Sequence, residues 1–392
     1  MEERRRVLLL GGTGAIGSHV APELLRRGYS VYITSRSAHS SQDSRIVYLQ
    51  GNAKDDAFLD TLLSERYDAI VDFMIYSTEA FQKRAEKLLS HTDHYVFLSS
   101  YRVYGDNGCA PITEESPRLL DSVNDPEYLK TDEYGLAKAR QEDILRASGH
   151  TNYTIVRPAI TYAGDRFQLG TMEANEFLIR ALNGKPVIFP KEMLPKYAAM
   201  TWAGDVGKMI ARLVLSEAAF GETYTAASAE TKTWSNVVHI YQKILGMKVV
   251  YVPLSVYEGV VGRKWQIRYD RMLHRVIDNT KILRATGMKQ SELMPLWDGL
   301  RIELSAFTRN PQFKPADEAM QKRFDEAIKA EAQKKSAVPP REKGLMGMLR
   351  RVNDYRKRGV LIKVVKKKLY KITPLRRAVH GAKRLLNKKS KE

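Results

Sequence analysis

The stretch LLLGGTGAIGSHV, near the start of the chain, constrains the fold more than any other feature. Its glycines Gly11, Gly14 and Gly17 follow an apolar run and precede a helical pattern. Glycines at a strand-to-helix junction permit a tight turn and let the backbone approach a pyrophosphate, which then lies on the amides of the helix N-terminus. An ordinary glycine-rich turn is the alternative. The strand before it and the helix after it favour a dinucleotide site that includes Ala15 and Ile16.

The N-terminal part of the chain alternates short apolar runs with helical patterns, which is typical of a parallel α/β sheet. Six runs rich in Val, Ile, Leu, Phe or Tyr are predicted to be strands: Arg6 to Leu10, Ser30 to Thr34, Ile46 to Gln50, Ala69 to Met74, Tyr95 to Ser99 and Tyr153 to Arg157. Apolar spacing predicts helices at His19 to Arg27 and Glu79 to Leu89. The predicted fold class is α/β, a Rossmann-type doubly wound parallel sheet with a smaller, interleaved C-terminal substrate domain and a basic helical tail.

Changes of pattern divide the chain into four predicted segments. Residues 1–165 form the dinucleotide-binding domain, to which residues 200–228 return, and residues 166–310 form mainly a substrate-binding region. Residues 311–340 are expected to be an exposed helix and linker, because they are rich in Ala, Glu and Lys and end in two prolines. Residues 341–392 form a basic amphipathic tail.

Most of the positive charge lies in this tail. The net charge is +19, and residues 341–392 hold 19 Lys and Arg against three acidic residues, so the first 340 residues carry only +3. Apolar residues recur at helical spacing among these cations, which favours an amphipathic helix on an anionic membrane surface. A loosely ordered solvated tail is one alternative, and a nucleic-acid arm is the less favoured one.

The single cysteine, Cys109, excludes an intramolecular disulfide framework and is expected to be incidental rather than nucleophilic. No apolar run is long enough to span a bilayer. A cytoplasmic protein is expected, associated with the inner face of the membrane if the tail binds lipid. The eight histidines show no metal-ligand spacing, so no metal site is predicted, and His91 and His94 are expected on the surface before a strand.

The end of the second strand bears on which dinucleotide binds. An acidic residue there usually meets a free ribose 2'-hydroxyl, whereas a 2'-phosphate requires a cation. The chain offers Ser35 and Arg36, which favours NADP(H) over NAD(H), although a solvated surface arginine is the alternative. Asn52 and the adjacent Ala53, at the end of the third strand, are predicted to lie at the adenine edge.

Tyr134 and Lys138, in DEYGLAK, are spaced to share one face of a helix. A lysine ammonium beside a tyrosine hydroxyl and an oxidised nicotinamide favours the phenolate and allows proton exchange near neutral pH. A surface helix turn would be the better interpretation if the pair stood alone. Ser99 and Ser100, however, end the fifth strand at the sheet edge where ligands bind, so the sequence predicts a site there.

The glycine turn, SSYRVYG, YGLAK and TIVRPAITYAG, in this order and spacing, resemble the extended short-chain dehydrogenase/reductase family of nucleotide-sugar epimerases and dehydratases. The resemblance covers about residues 7 to 250. It implies that Ser100 hydrogen-bonds the reacting oxygen, that Tyr134 is the acid/base and that Lys138 holds the nicotinamide ribose. The other residues that it places at the site are Arg157 and Pro158 beside the nicotinamide, and Tyr101, Thr161 and Tyr162 beside the substrate.

The chain departs from that family at Tyr101 and Arg102, which stand where the dehydratases carry Asp and Glu. Dehydration by that route is therefore not expected, which leaves an epimerase or a reductase acting on a nucleotide-activated sugar. The alternative is an atypical member of the same fold with an RNA-binding or other non-catalytic role. Two-helix packing into homodimers is common in the family, and the sequence leaves the oligomeric state open.

Overall fold

A computed structural model of the protein describes residues 4–337. The chain divides into two compact units, Met1–Glu331 and Ala332–Glu392, and the elements that carry the site all belong to the first. The predicted basic tail, residues 341–392, lies outside the described residues.

The strands of the N-terminal half are β1 (Arg6–Leu10), β2 (Ser30–Ser35), β3 (Ile46–Gln50), β4 (Tyr67–Asp72), β5 (Thr92–Leu98), β6 (Tyr153–Val156) and β7 (Ile160–Tyr162). Those that follow are β8 (Gln168–Leu169), β9 (Met172–Glu173), β10 (Val187–Pro190), β11 (Tyr197–Ala198), β12 (Met200–Trp202), β13 (Thr223–Tyr224), β14 (Lys232–Thr233) and β15 (Val249–Val252).

The helices of the N-terminal half are α1 (Gly17–Arg26), α2 (Asp56–Leu63), α3 (Thr78–Gln82), α4 (Ala85–Ser90), α5 (Leu119–Ser122), α6 (Pro126–Leu129) and α7 (Tyr134–Ala147). The later helices are α8 (Ala174–Leu182), α9 (Ala203–Leu213), α10 (Trp234–Leu245), α11 (Leu254–Val261), α12 (Lys264–Gln266), α13 (Thr280–Thr286), α14 (Leu296–Phe307) and α15 (Glu318–Ala337). A 3₁₀-helix at Tyr101–Val103 and a π-helix at Ile267–Arg271 also border the site.

The main sheet has seven strands in the order β13-β6-β5-β4-β1-β2-β3, all paired in parallel. Alternate residues of β1 enter two different cores, since Val7 and Leu9 pack on one face of the sheet and Leu8 and Leu10 on the other. The doubly wound parallel α/β sheet predicted from the sequence is confirmed. The strand order reverses between β1 and β4, which opens a crevice at their carboxyl ends.

A second core lies beside this sheet and is built mainly from residues that follow β6. Its strands form four small pairs, β7 with β12, β8 with β9, β10 with β15 and β11 with β14. Between these pairs the chain returns to the main sheet, because β13 joins β6 and α9 packs on α1. Both returning elements lie within residues 200–228, the segment that the sequence predicts to rejoin the first domain.

The prediction of one continuous helix from Glu79 to Leu89 is wrong, because the chain turns between α3 and α4. The turn lets the buried side chain of Arg84 reach inward. Its guanidinium donates to the carbonyls of Ala53 and Lys54 and pairs with Asp56 at 2.7 Å. Hydrogen bonding of one long side chain thus overrides the helical periodicity of the segment.

The surface position predicted for His94 is also wrong. The residue lies inside β5 with no exposed area, and burial lowers its pKa to about 3. Its Nε2 lies 2.8 Å from Thr154 Oγ1, and its Nδ1 accepts a hydrogen bond from the amide of Leu215. His91 is exposed, as expected.

The predicted exposed helix of residues 311–340 is partly buried. Met320 and Phe324, one turn apart on α15, lie in the second core. Arg180 of α8 stacks on the Phe324 ring and pairs with Asp325 at 2.5 Å. Apolar residues at helical spacing gave this helix a buried face that its charged composition concealed.

The glycine turn generates the first prediction. A Cβ on Gly17 would lie 2.3 Å from the carbonyl oxygen of Gly12, whereas a Cβ on Gly14 would have no heavy atom within 4 Å. We expect Gly17→Ala to lower the free energy of unfolding by about 1–3 kcal/mol, the usual cost of overpacking. Gly14→Ala should change it by less than about 0.5 kcal/mol. Chemical denaturation of both variants checks this, and equal destabilisation would contradict the close approach at Gly17.

Candidate active site

A cavity of about 420 Å³ opens at the carboxyl ends of β1, β4 and β5. Its lining combines the glycine turn, the ends of these strands, the start of α7, the β6–β7 connection and the π-helix. The predicted site residues that line it are Gly11, Gly14, Ala15, Ile16, Gly17, Ser100, Tyr101, Tyr134, Lys138, Pro158 and Thr161. A second cavity of about 430 Å³ lies among α3, α4 and α7 and contains none of the predicted site residues.

The glycine turn has the geometry that a pyrophosphate requires. Gly11 has a φ of 72°, in the left-handed region that favours glycine, and open space surrounds the position of a Cβ on Gly14. Helix α1 begins with no side-chain cap and no acidic residue in its first turn, so its N-terminus suits an anion. Ile75, at the end of β4, lines the same cavity and is 56% exposed, as an apolar contact for a flat ring would be. These features fit a dinucleotide.

Ser100 is positioned by the end of β5 and by the buried residue before it. Ser99 donates a hydrogen bond of 2.5 Å to Glu142, which has no exposed area. Ser100 caps the 3₁₀-helix Tyr101–Val103, because its Oγ accepts the amide hydrogen of Arg102 at 3.2 Å. This places a hydroxyl at the sheet edge, on the wall of the cavity.

Tyr134 and Lys138 belong to the first turns of α7 and line the same cavity as Ser100. The helix begins at Tyr134 because Glu133 caps it, accepting the amide hydrogen of Gly135 at 2.9 Å. Lys138 is buried, and its Nζ lies 4.4 Å from the centre of the Phe97 ring. Burial lowers the pKa of Lys138 to about 8, although the carboxylates of Asp72 and Glu142 favour its charged form.

Two predicted positions are corrected by the structure. Arg157 is 1% exposed, and its Nε and Nη2 donate to Glu142 at 2.9 and 2.6 Å. Burial opposes the charge of Glu142, but these hydrogen bonds keep its pKa below the ordinary value. Tyr162 has no exposed area and packs in the second core, because side chains alternate along β7 and Thr161 takes the cavity side. Neither Arg157 nor Tyr162 lines the cavity.

The residues predicted to contact the adenosine half of a dinucleotide lie at the ends of β2 and β3, outside this cavity. Arg36 and Asn52 are exposed, Ser35 is half-buried and Ala53 is buried. The Asn52 side chain accepts the amide hydrogen of Lys54 at 3.2 Å. These strand ends adjoin the glycine turn, since β2 pairs with β1 and with β3.

The sequence did not reveal the charged network beside Tyr134. Asp270, in the π-helix, has a side chain that is 2% exposed and accepts a hydrogen bond of 2.9 Å from Tyr101. Its carboxylate also pairs with Arg271 and, at 3.3 Å, with Arg102 and Arg275. Burial opposes this charge, and the three cations keep the pKa of Asp270 below its ordinary value. Its only signal in the sequence is an acid among arginines, in RYDRMLHR, a pattern that is usually a solvated helix face.

Comparison with known proteins shows what this chain is similar to. Residues 11–181 match the family model described as NAD(P)H-binding. The UDP-glucose 4-epimerase of Neisseria meningitidis serogroup A is 29% identical over 171 residues, which are 36% of this chain and 47% of that protein. The 2'-dehydrokanamycin reductase of Streptomyces kanamyceticus is 25% identical over 262 residues, covering 65% of this chain and 70% of the reductase.

A chloroplast stem-loop binding protein of 41 kDa from Arabidopsis thaliana is 27% identical over 202 residues, 47% of this chain and 49% of that protein. Against both the epimerase and this relative, the chain spans about half of the matched protein's length. Among solved structures, the UDP-glucose 4-epimerase of Bifidobacterium longum in complex with NAD+ and UDP is similar with a TM-score of 0.57. That match is 19% identical and covers 78% of this chain and 99% of the epimerase, so it shows a shared fold.

Lys138 generates a prediction about stability. Its pKa is lowered to about 8 by burial, whereas an unfolded lysine titrates near about 10.4. Below the folded pKa the lysine is protonated in both the folded and the unfolded state. The folded state then carries the full free-energy cost of burying the ammonium, on the order of 3 kcal/mol. Between the two pKa values stability rises with pH, because the unfolded chain binds more protons.

We therefore expect Lys138→Met to raise the free energy of unfolding of the protein without added dinucleotide by up to about 3 kcal/mol near pH 7. The gain should shrink as the pH rises from about 8 towards 10. Chemical denaturation across this range checks it, with Lys54→Met as the exposed control. A loss of stability of equal size at both ends of the range would contradict a desolvated ammonium.

Proposed function

Because this chain belongs to the extended short-chain dehydrogenase/reductase family, we propose that it is a nicotinamide-dependent enzyme acting on a hydroxyl or keto group of a nucleotide-activated sugar, as an epimerase or a reductase. The observation that carries the proposal is the convergence of three elements on one cavity. The glycine turn, the end of β5 and the first turns of α7 bring Gly14, Ser100, Tyr134 and Lys138 to a common wall. A domain that only binds a dinucleotide does not need Ser100 and Tyr134 beside the glycine turn, whereas an enzyme that moves a proton does.

The proposed chemistry divides among the three polar side chains. Tyr134 takes the proton of the reacting hydroxyl, or returns it to a carbonyl, and Ser100 hydrogen-bonds the same oxygen. The ammonium of Lys138, one helical turn from Tyr134, stabilises negative charge on the phenol oxygen. The nicotinamide, when bound, supplies the acceptor or donor of the hydride.

The charges on the cavity wall support an anionic substrate. Four cations, Arg102, Lys138, Arg166 and Arg271, line it together with one acid, Glu173. Arg102 and Arg271 already pair with Asp270, which leaves Lys138 and Arg166 as the cations that suit the diphosphates of a dinucleotide and of a nucleotide sugar, since phosphate oxygens accept charge-assisted hydrogen bonds. The printed names of similar proteins, UDP-glucose 4-epimerase among them, support the same class of substrate.

The residues after Ser100 support hydride chemistry without dehydration. The Tyr101 hydroxyl already has partners within the protein, because it donates a hydrogen bond to Asp270 and accepts one from Arg271 at 2.7 Å. Burial raises the pKa of Tyr101 above its ordinary value. The guanidinium of Arg102 pairs with Glu133 and Asp270, so neither residue offers the carboxylic acid or carboxylate that the water elimination uses.

The role of Tyr134 can be tested directly. We expect Tyr134→Phe to lower the turnover of UDP-glucose, UDP-galactose or UDP-glucuronate at least about a hundredfold, because the proton carrier is lost. Binding of NADP+ or NAD+ should change less than about twofold, since the phenol oxygen is not part of the pyrophosphate site. Turnover followed by product chromatography, and dinucleotide titration by calorimetry, measure the two effects. Tyr48→Phe, on β3 away from the cavity, is the matched control. Full turnover in Tyr134→Phe would contradict the assignment.

A preference for NADP(H) over NAD(H) is part of the proposal. Arg36 is exposed at the end of β2, where a ribose 2'-phosphate would lie, and a guanidinium binds phosphate in two parallel hydrogen bonds. We expect Arg36→Ala to weaken NADP+ at least about tenfold, equivalent to 1.4 kcal/mol, and to leave NAD+ within about twofold. Calorimetric titration of both dinucleotides measures the ratio. Equal losses for both would show that Arg36 does not contact the 2'-phosphate.

A second candidate function is RNA binding, favoured by the similarity to the chloroplast stem-loop binding protein. Salt-dependent binding of a stem-loop RNA that survives Tyr134→Phe, together with no turnover of any UDP-sugar, would favour RNA binding.

The roles proposed for residues 341–392 at a membrane or on nucleic acid stay predictions, because these residues lie outside the described part of the chain. Within residues 4–337, no helix is long and apolar enough to cross a membrane.

A further inference from the structure

The ring of Tyr134 has a cationic neighbour that the proposed chemistry does not use. The guanidinium carbon of Arg102 lies 5.1 Å from the centre of this ring, within the range of a cation–π contact. Tyr134 is half-buried and is the first residue of α7, where the preceding turn that would otherwise pack against its side chain is absent. A tyrosine in the middle of a helix packs against the preceding turn. Tyr134 has no such turn, and the Arg102 guanidinium supplies part of the missing contact.

Arg102 is itself held from two sides. Its Nη2 donates to Glu133, the residue that caps α7, and its Nε lies 3.3 Å from Asp270 of the π-helix. The side chains of Arg102, Glu133 and Asp270 are 14, 16 and 2% exposed, so these pairs are largely screened from water. Buried ion pairs are costly to rearrange, which makes them suited to fixing one geometry.

The backbones of the two segments are also in close contact. A Cβ on Gly135 would lie 2.7 Å from the carbonyl oxygen of Arg102, so the first turn of α7 packs directly on the 3₁₀-helix after Ser100. Ser100 accepts the amide hydrogen of Arg102, and the guanidinium of Arg102 lies over the ring of Tyr134. One residue thus contacts both members of the proposed proton-transfer pair.

Binding of a substrate anion is the competing role for Arg102. Two carboxylates already lie against its charge, Glu133 and Asp270. Its guanidinium carbon lies over the ring of Tyr134. These contacts favour a structural use of the cation over recognition of a ligand.

We propose that Arg102 is a positioning residue, which fixes the ring of Tyr134 on the cavity wall through a cation–π contact that Glu133 and Asp270 hold in place. Asp270 comes from the π-helix that follows Gln266 and contains Arg271, both of which line the cavity. The Asp270 carboxylate therefore links the π-helix on the cavity wall, through Arg102, to Tyr134. The kinetic consequence rests on the proposed function, whereas the effect on the ring orientation does not.

The kinetic test compares Arg102→Gln, Arg102→Lys and Glu133→Gln with the wild type, using NADP+ or NAD+ and the UDP-sugars named above. We expect Arg102→Gln to lower kcat between about ten- and a hundredfold, the effect of a misplaced reacting group, with KM within about threefold. Arg102→Lys keeps a cation over the ring and should recover most of kcat. Glu133→Gln should give an intermediate loss. Arg284→Gln, an exposed arginine on α13, controls for loss of charge.

A second readout needs no turnover. In protein labelled with ring-13C tyrosine, the signal of Tyr134 is assigned by its absence from Tyr134→Phe. We expect that signal to move or broaden in Arg102→Gln and to stay near its wild-type position in Arg102→Lys. Tyr101 and Tyr128 bond the two carboxylates that pair with Arg102 and can shift as well, while the tyrosine signals outside this network stay in place. Retention of those other signals also shows that the variant is folded.

Two results would overturn the inference. A raised KM with unchanged kcat in Arg102→Gln would assign Arg102 to substrate binding. An unmoved Tyr134 signal in Arg102→Gln would show that the arginine does not orient the ring. If the wild-type protein turns over none of the UDP-sugars, the proposed function fails, and the spectrum alone decides whether Arg102 positions Tyr134.

Discussion

The pairing of β1 with β2 on one side and β4 on the other is the constraint on which the site depends. Alternate residues of β1 enter two separate cores, so the strand cannot shift by one residue without exposing an apolar set. Its end is therefore fixed, and the glycine turn must leave at the edge where β4 and β5 also end. Gly14, Ile75 and Ser100 reach one cavity because three buried parallel strands share a register.

The second condition is the burial of charge around that cavity. Lys138 and Asp72 are both withdrawn from water, and burial shifts the pKa of each towards its neutral form, down for the lysine and up for the aspartate. Asp270 remains ionised because Arg102, Arg271 and Arg275 surround it. Desolvated ions contribute little net stability, and breaking one pair leaves its partner uncompensated. Such groups are better explained by the geometry that they hold than by the stability that they add.

Much of the fold could be predicted from the sequence, because strands such as β1 and β3 are apolar runs bounded by turn residues. The position of the glycine turn, Ser100, Tyr134 and Lys138 at one cavity could be predicted because a strand end or one helix turn fixes each of them locally. Errors arose where a distant partner decided the outcome. Arg157 was expected at the nicotinamide and instead pairs with Glu142. His94 was expected on the surface and is buried against Thr154. Asp270 contacts Tyr101 across 169 positions, a separation at which local patterns carry no information.

The proposed function requires that one cavity receives both a nicotinamide dinucleotide and a nucleotide sugar, which native mass spectrometry of the purified full chain can detect together. The spectrum should show one dinucleotide per chain, either retained through purification or gained from added NADP+ or NAD+. UDP-glucose, UDP-galactose or UDP-glucuronate should then add to that complex with the dinucleotide still bound. Two results would contradict joint binding in one cavity: no uptake of NADP+ or NAD+ when either is added in excess, or release of the dinucleotide when a UDP-sugar binds.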